Sequence, residues 1–406
     1  MDISSVYKCK LDIVYICNVE NNTIYQHLFW KSYNDHFYKP IIGRYIHPYE
    51  INSALKRFST IGKVSLEGHS VLGKPIHSIT LGTGSYKILG WSQMHGNEST
   101  TTKAVLDLLS IIDAHKDSAE TEEIFKSITL KIILQLNPDG CEAYTRFNSN
   151  EIDLNRDAQD CSQPESKVLK AVYKEFTPHL CLNLHDQRTI YNVNLTPKTA
   201  AVSFLSPSQD IERSITVNRK VAMQYISAMN TTLSHLIKGH IGRYDDGFNI
   251  NCVGDTFQNL GTPTILFEAG HLEAYDRNDT RKAIYAALLQ LINCAVTKTY
   301  EAETVKDYMR IPQNDKKFYD IILRNVAIKE EIKDIAIQYR EELDGGLIAF
   351  SPYIAKIDNL NDYYAHKELE CSDLDVLINT SEKLAEEIDI VNVLINGKKL
   401  SFVKNT

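Results

Sequence analysis

Short apolar runs alternate with longer amphipathic stretches through the middle of the chain. The runs "HSITLG" (77–82), "YKILGWS" (86–92), "ITLKIILQLN" (128–137), "HLCLNLH" (179–185) and "PTILFEAG" (263–270) are brief, apolar and bounded by turn residues, which predicts buried strands. Between them "TTTKAVLDLLSIIDAH" (100–115), "SKVLKAVYKEF" (166–176), "RSITVNRKVAMQYISAMNTTL" (213–233) and "TRKAIYAALLQLINCAVTKTY" (280–300) place apolar residues three and four apart, as helices do. Strands that alternate with helices predict an α/β domain whose sheet is largely buried. The domain is read over 48–300. Ahead of it, residues 1–47 are aromatic-rich and suggest only one helix, around "QHLFWKSYNDHFYK" (26–39). Beyond residue 300 the pattern changes to two hairpins, "DIAIQYREELDGGLIAFSPYIAKI" around its Asp-Gly-Gly and "IVNVLINGKKLSFVK" around its Asn-Gly, so 305–406 is expected to form a small, mainly β C-terminal domain.

Composition narrows the function class. The 406 residues are 43% hydrophobic, enough for a large core, and carry a formal charge of only −8 with no block of Lys or Arg. Nucleic acid and anionic membrane are therefore poor partners. The first residues, "MDISSVYKCKLDIVYICNVENN", interrupt their apolar run with charges and show no cleavage-site pattern, so the expected location is the cytoplasm. Eight cysteines are scattered without a Cys-x-x-Cys pair, which predicts free thiols.

The chemistry gathers at the ends of the predicted strands. His95 and Glu98 occupy the turn after "KILGWSQ", His185 follows "LCLNL" and Glu268 follows "TPTILF". A His and a Glu three residues apart in a loop are more often solvated groups or a cap than metal ligands. Their convergence with a second imidazole and a second acid at one sheet edge changes that balance, because ligands of open α/β sheets bind at this edge. Two imidazoles and one carboxylate suit Zn²⁺ and leave a fourth position for water.

Six short motifs, "HGNE" (95–98), "NPDG" (137–140), "TRFNSNEIDLNRD" (145–157), "SQPES" (162–166), "LNLHD" (182–186) and "LFEAG" (266–270), occur in the order in which the M14-type zinc carboxypeptidases carry theirs. Over about residues 48–300 the chain resembles that family. The resemblance implies a three-layer α/β domain with a central mixed, mostly parallel sheet covered by helices on both faces. It makes His95, Glu98 and His185 the ligands of one Zn²⁺ per chain and Glu268 the general base. By the same matching, Arg146 stabilises the oxyanion, while Asn155 and Arg156 grip the α-carboxylate of a peptide substrate. Asp153 matches a carboxylate that orients a ligand histidine, here His95.

The chain departs from the family pattern at two points. The family's mobile tyrosine falls near Gly247 and Phe248, where the nearest tyrosine is Tyr244, a candidate for substrate contact or for packing; and Asp157 stands where an Asn is common. His179 and His271 are read as packing or surface groups. The implied activity is hydrolysis of the C-terminal peptide bond. The alternatives are a zinc amidase or deacylase acting on N-acyl amino acids or peptidoglycan peptides, and a binding protein with a dead site.

Overall fold

The computed structural model describes residues 23–41, 43–379 and 384–402; the start of the chain, with Cys9 and Cys17, lies outside them. Among the described residues every apolar run named above forms a strand. In chain order the strands are β1 (Lys63–His69), β2 (Pro75–Leu81), β3 (Tyr86–Ser92), β4 (Ile128–Ile133), β5 (Leu180–Asp186), the short β6 (Asn192–Val193), β7 (Val202–Leu205), β8 (Ile241–Arg243) and β9 (Thr264–Ala269). Eight of them make one mixed sheet in the order β1-β2-β4-β3-β5-β9-β7-β8. Its centre is parallel, since β3 pairs in parallel with both β4 and β5, and β5 with β9. Pairings at the flanks are antiparallel, apart from the parallel β7 and β8. β1 is half-exposed, and β7 and β8, with four and three residues, are too short for a period to show in the sequence.

Alternation along the central strands sorts their side chains into two cores. Ile88 of β3 with Leu180 and Leu182 of β5 face one side, where they meet the helices Thr100–Ala114, Val217–Leu236 and Asn278–Thr297. Leu89, Trp91 and Cys181 face the other, against Leu169 and Val172 of helix Pro164–Phe176 and Phe257 of helix Val253–Asn259. A sheet packed on both faces has no polar side, which is why these strands read as continuous apolar runs. The three-layer architecture implied by the motifs is present.

The expected helix at 26–39 is two four-residue helices, Leu28–Lys31 and Tyr33–His36, broken at Ser32, whose hydroxyl donates back to the Phe29 carbonyl. Tertiary contacts set this segment. The Tyr33 hydroxyl and the Tyr38 N–H donate to Asp107, and the buried Arg281 pairs with Asp107 while donating to the Tyr38 and Ile41 carbonyls.

Beyond the helices, β10 (Asn314–Asp315) pairs with β6. The strands β11 (Phe318–Ile328), β12 (Glu331–Asp344), β13 (Leu347–Asp358) and β14 (Tyr364–Glu370) form a sheet in the order β13-β12-β11-β14. A smaller sheet holds β15 (Val376–Ile378), β16 (Val393–Ile395) and β17 (Lys398–Lys399). Both hairpin signals correspond to turns: Gly345 and Gly346 join β12 to β13, and Asn396 and Gly397 join β16 to β17, all four at positive φ as the tightest hairpins require. β12 reaches residues of the first 190 positions through part-buried polar contacts. Glu341 pairs with Arg44 and accepts from the Tyr144 hydroxyl, and Gln338 donates to Thr189. The six described cysteines, Cys141, Cys161, Cys181, Cys252, Cys294 and Cys371, are free. No helix among the described residues is long and apolar enough to cross a membrane.

Candidate metal and catalytic site

The C-terminal ends of β3, β5 and β9 open into a cleft of about 1000 Å³. His185 and Glu268 are register partners on the parallel strands β5 and β9, so they stand side by side at that edge. His95 and Glu98 lie in the turn between β3 and helix Thr100–Ala114. That turn is held from beneath: Asn137 donates to the Met94 and Phe147 carbonyls and accepts from the Gly140 N–H. A Cβ on Gly96 would stand 2.0 Å from the Gly140 carbonyl carbon, so only glycine lets the two turns touch. Asp186 accepts from the first N–H groups of the helix, those of Thr100 and Thr101, and fixes the helix start against β5.

The result is a convergent donor set. His95 Nδ1 is 2.8 Å from Glu98 Oε1 and 3.1 Å from His185 Nδ1, and His185 Nδ1 is 2.8 Å from Glu98 Oε2. Both imidazoles are 2% exposed and Glu98 is 9% exposed. His95 Nε2 meets Asp153 Oδ1 at 3.0 Å. With the Nε2 proton given to that carboxylate, a neutral His95 turns the lone pair of Nδ1 toward other acceptors, an arrangement that a cation relieves. Zn²⁺ fits the donor chemistry, two nitrogens and an oxygen on one buried point.

The electrostatics agree with the geometry. Burial pushes the Glu98 carboxyl up, but the facing His95 and His185 imidazoles outweigh it and hold the group well below the usual carboxylate range. Burial lowers the His185 pKa, with Glu98 offsetting part of the effect. Glu268 is pushed well above its ordinary value by burial first and then by Glu98 and Asp186.

Of the remaining residues singled out in the sequence, Arg146, Asn155, Arg156 and Tyr244 line the cleft. Asp153 receives Nε and Nη2 of Arg146 at 3.1 and 3.0 Å, and Arg146 Nη1 lies 3.5 Å from Glu98. Asp153 also accepts from the Asn155 N–H, which sets the turn Leu154–Arg156. Asn155 Oδ1 of the side chain accepts from the Val253 N–H, while the side-chain N–H₂ meets no partner among the described residues. Arg156 is exposed, donates to the Asn155 carbonyl and to Cys252 Sγ, and has no carboxylate partner among the described residues. Tyr244 lines the cleft with its hydroxyl on that of Tyr191. Asp157 points away from the cleft: it is buried and accepts from Ser162 and the Gln163 N–H, which makes it a support of the turn into helix Pro164–Phe176.

Several cleft residues were not found by sequence reasoning. Arg277, buried 3.6 Å from Asp186, gave no signal because "EAYDRND" reads as a polar loop. Asp255 lines the cleft with its carboxyl pushed up to about 7 by burial, and Tyr339 and Arg340 bring β12 to the wall. Asp186 was the one available from its position, next to His185 in "LNLHD".

A mixed sheet with a His-Glu-His cluster and a lone acid at its carboxyl edge defines a metallohydrolase-like α/β protein. The chain belongs to the zinc carboxypeptidase family, Peptidase_M14, whose sequence model matches residues 50–254. It is similar to probable carboxypeptidase 2 of Arthroderma benhamiae, 26% identical over 104 residues, which are 25% of this chain and 19% of that protein. It is also similar to carboxypeptidase SOL1 of Arabidopsis thaliana, 28% identical over 156 residues, covering 34% of this chain and 31% of the relative. The matched stretch is thus a minor part of these relatives' length. A crystal structure of a metallo-carboxypeptidase from Burkholderia cenocepacia shares the fold, with a TM-score of 0.51, 15% identity, and 63% of this chain and 70% of that one covered.

Proposed function

We propose that this protein is a zinc-dependent carboxypeptidase that hydrolyses the last peptide bond of peptides with a free C-terminal carboxylate. The observation that carries this is Arg156: a guanidinium without an acid partner, beside the free amide N–H₂ of Asn155, in the cleft that holds the His95, Glu98 and His185 cluster. A planar guanidinium suits two-point contact with a carboxylate. In this reading His95, Glu98 and His185 hold one Zn²⁺ at this centre, which when bound supplies Lewis acidity that acidifies water and polarises a carbonyl. Glu268, free of any hydrogen-bond partner among the described residues, takes the proton of the attacking water and returns it to the leaving amine. Arg146 offsets the charge that builds on the carbonyl oxygen. Tyr244 and Tyr191 form the wall along which the substrate lies.

Asp153 is a positioning residue. Its carboxylate fixes the His95 ring and the Arg146 side chain together. Asp153→Asn is expected to weaken zinc affinity by about 10- to 100-fold, measured by competition with a chelator. Unchanged affinity would remove Asp153 from that role.

The test of substrate class compares a peptide acid with its C-terminal amide. Losing a desolvated charge contact typically costs about 2–5 kcal/mol, or about 30- to several-thousand-fold in kcat/KM. Wild type is expected to show that loss on the amide. Arg156→Ala is expected to show it on the acid, with little further loss on the amide, because both changes delete one interaction. Equal cleavage of acid and amide by the wild type would replace this reading with that of an endo-acting amidase.

A further inference from the structure

We propose that His271, Asp320 and His366 form a second metal site, which takes Zn²⁺ as a structural ion between the loop after β9 and the C-terminal sheet. The three residues come from distant points of the chain. His271 follows β9 three residues after Glu268, Asp320 is on β11 and His366 on β14. One donor atom from each lies within 4.8 Å of the others. His271 and Asp320 are 2% and 1% exposed and His366 is half-buried, so the cluster lies at the inner side of the sheet.

Two observations separate this cluster from ordinary packing. Both Nε2 atoms, of His271 and of His366, are buried and meet no hydrogen-bond partner. A buried nitrogen without a partner forfeits its hydrogen bonds to water, so two of them in one three-residue cluster is a costly way to fill a core. Second, the carboxylate is already oriented. Asp320 Oδ1 accepts from the Tyr275 hydroxyl at 2.7 Å and Oδ2 from the Tyr339 N–H at 2.8 Å, which fixes the group and leaves a lone pair on each oxygen. The rings of His271 and His366 stack at 4.2 Å, with Phe318 edge-on to His366 and Tyr275 beside both. Donors on a tetrahedral zinc ion stand about 3.3–3.6 Å apart, given bonds of about 2.0–2.2 Å, so binding requires the stacked rings, whose donors lie within 4.8 Å, to turn inward toward Asp320. Two imidazoles and a carboxylate are borderline donors that favour Zn²⁺ over Ca²⁺ or Mg²⁺.

The site does not depend on the carboxypeptidase reading, and the test keeps the two apart. The full chain carrying His95→Ala and His185→Ala lacks both imidazoles of the first cluster. After chelator treatment and reloading with Zn²⁺, mass spectrometry of metal content is expected to find about two equivalents in wild type and one in this variant. Adding His366→Ala or His366→Phe is expected to remove that last equivalent. Zinc is further expected to raise the melting temperature of the His95→Ala/His185→Ala chain by about 5 °C and to leave the triple variant unmoved. The melting shift reads the site even if a His366 variant fails to fold. No zinc in the His95→Ala/His185→Ala chain, or equal zinc with and without His366, would overturn the proposal.

Discussion

Replacing His185 by Ala is expected to take one equivalent of zinc from the chain and essentially all peptide hydrolysis with it. His185 is the donor that closes the cluster: its Nδ1 lies 2.8 Å from Glu98 and 3.1 Å from His95 Nδ1, with the ring fully enclosed by β5 and its neighbours. Alanine leaves His95 and Glu98, three residues apart on one turn, as the only remaining ligands. Two ligands do not hold zinc against dialysis. A Lewis acid contributes several kcal/mol to the transition state, and each 1.36 kcal/mol is tenfold, so the loss in kcat/KM is at least about 10³-fold. The measurement is metal content beside turnover, with circular dichroism to show that β5 still folds. Undiminished zinc in this variant would mean that the cluster is not the centre.

Glu268→Gln is expected to keep the zinc and the affinity for a substrate-like inhibitor while kcat falls by about 10²- to 10⁴-fold. The amide matches the carboxyl in size and cannot accept the water's proton. The environment makes the exchange structurally mild: the carboxyl has no hydrogen-bond partner to lose among the described residues. Stability should therefore change little while turnover falls. A variant with near wild-type kcat would assign the base elsewhere, and one that loses zinc would show Glu268 to support the metal instead.

Much of this site could be read in the sequence because strand ends are local features. Apolar runs buried on both faces end in ionisable residues at their carboxyl ends, and "LCLNLH" and "PTILFE" thereby present His185 and Glu268 at the same sheet edge. The motif order supplied the partners. What local pattern could not supply was the use of the polar residues between motifs. Tyr244 shows this: its neighbours in sequence leave open whether it packs or faces substrate, while the fold sets its hydroxyl on Tyr191, 53 residues away, in the cleft. Asp157 shows the converse, since it stands beside the proposed grip in "LNRD" and its side chain instead holds a buried turn.

The sequence by itself determined the strand and helix periods, the hairpin turns at Gly345–Gly346 and Asn396–Gly397, and the residue types at the sheet edge, because each depends on a few neighbouring positions. Tertiary structure alone decided that Glu341 of β12 meets Arg44 across 297 residues. It also decided that His271, read as packing or surface, lies with Asp320 and His366. Such contacts have no local signature: a buried polar atom's need for a partner is written in its own residue, but which distant residue satisfies it is settled only when the sheets pack.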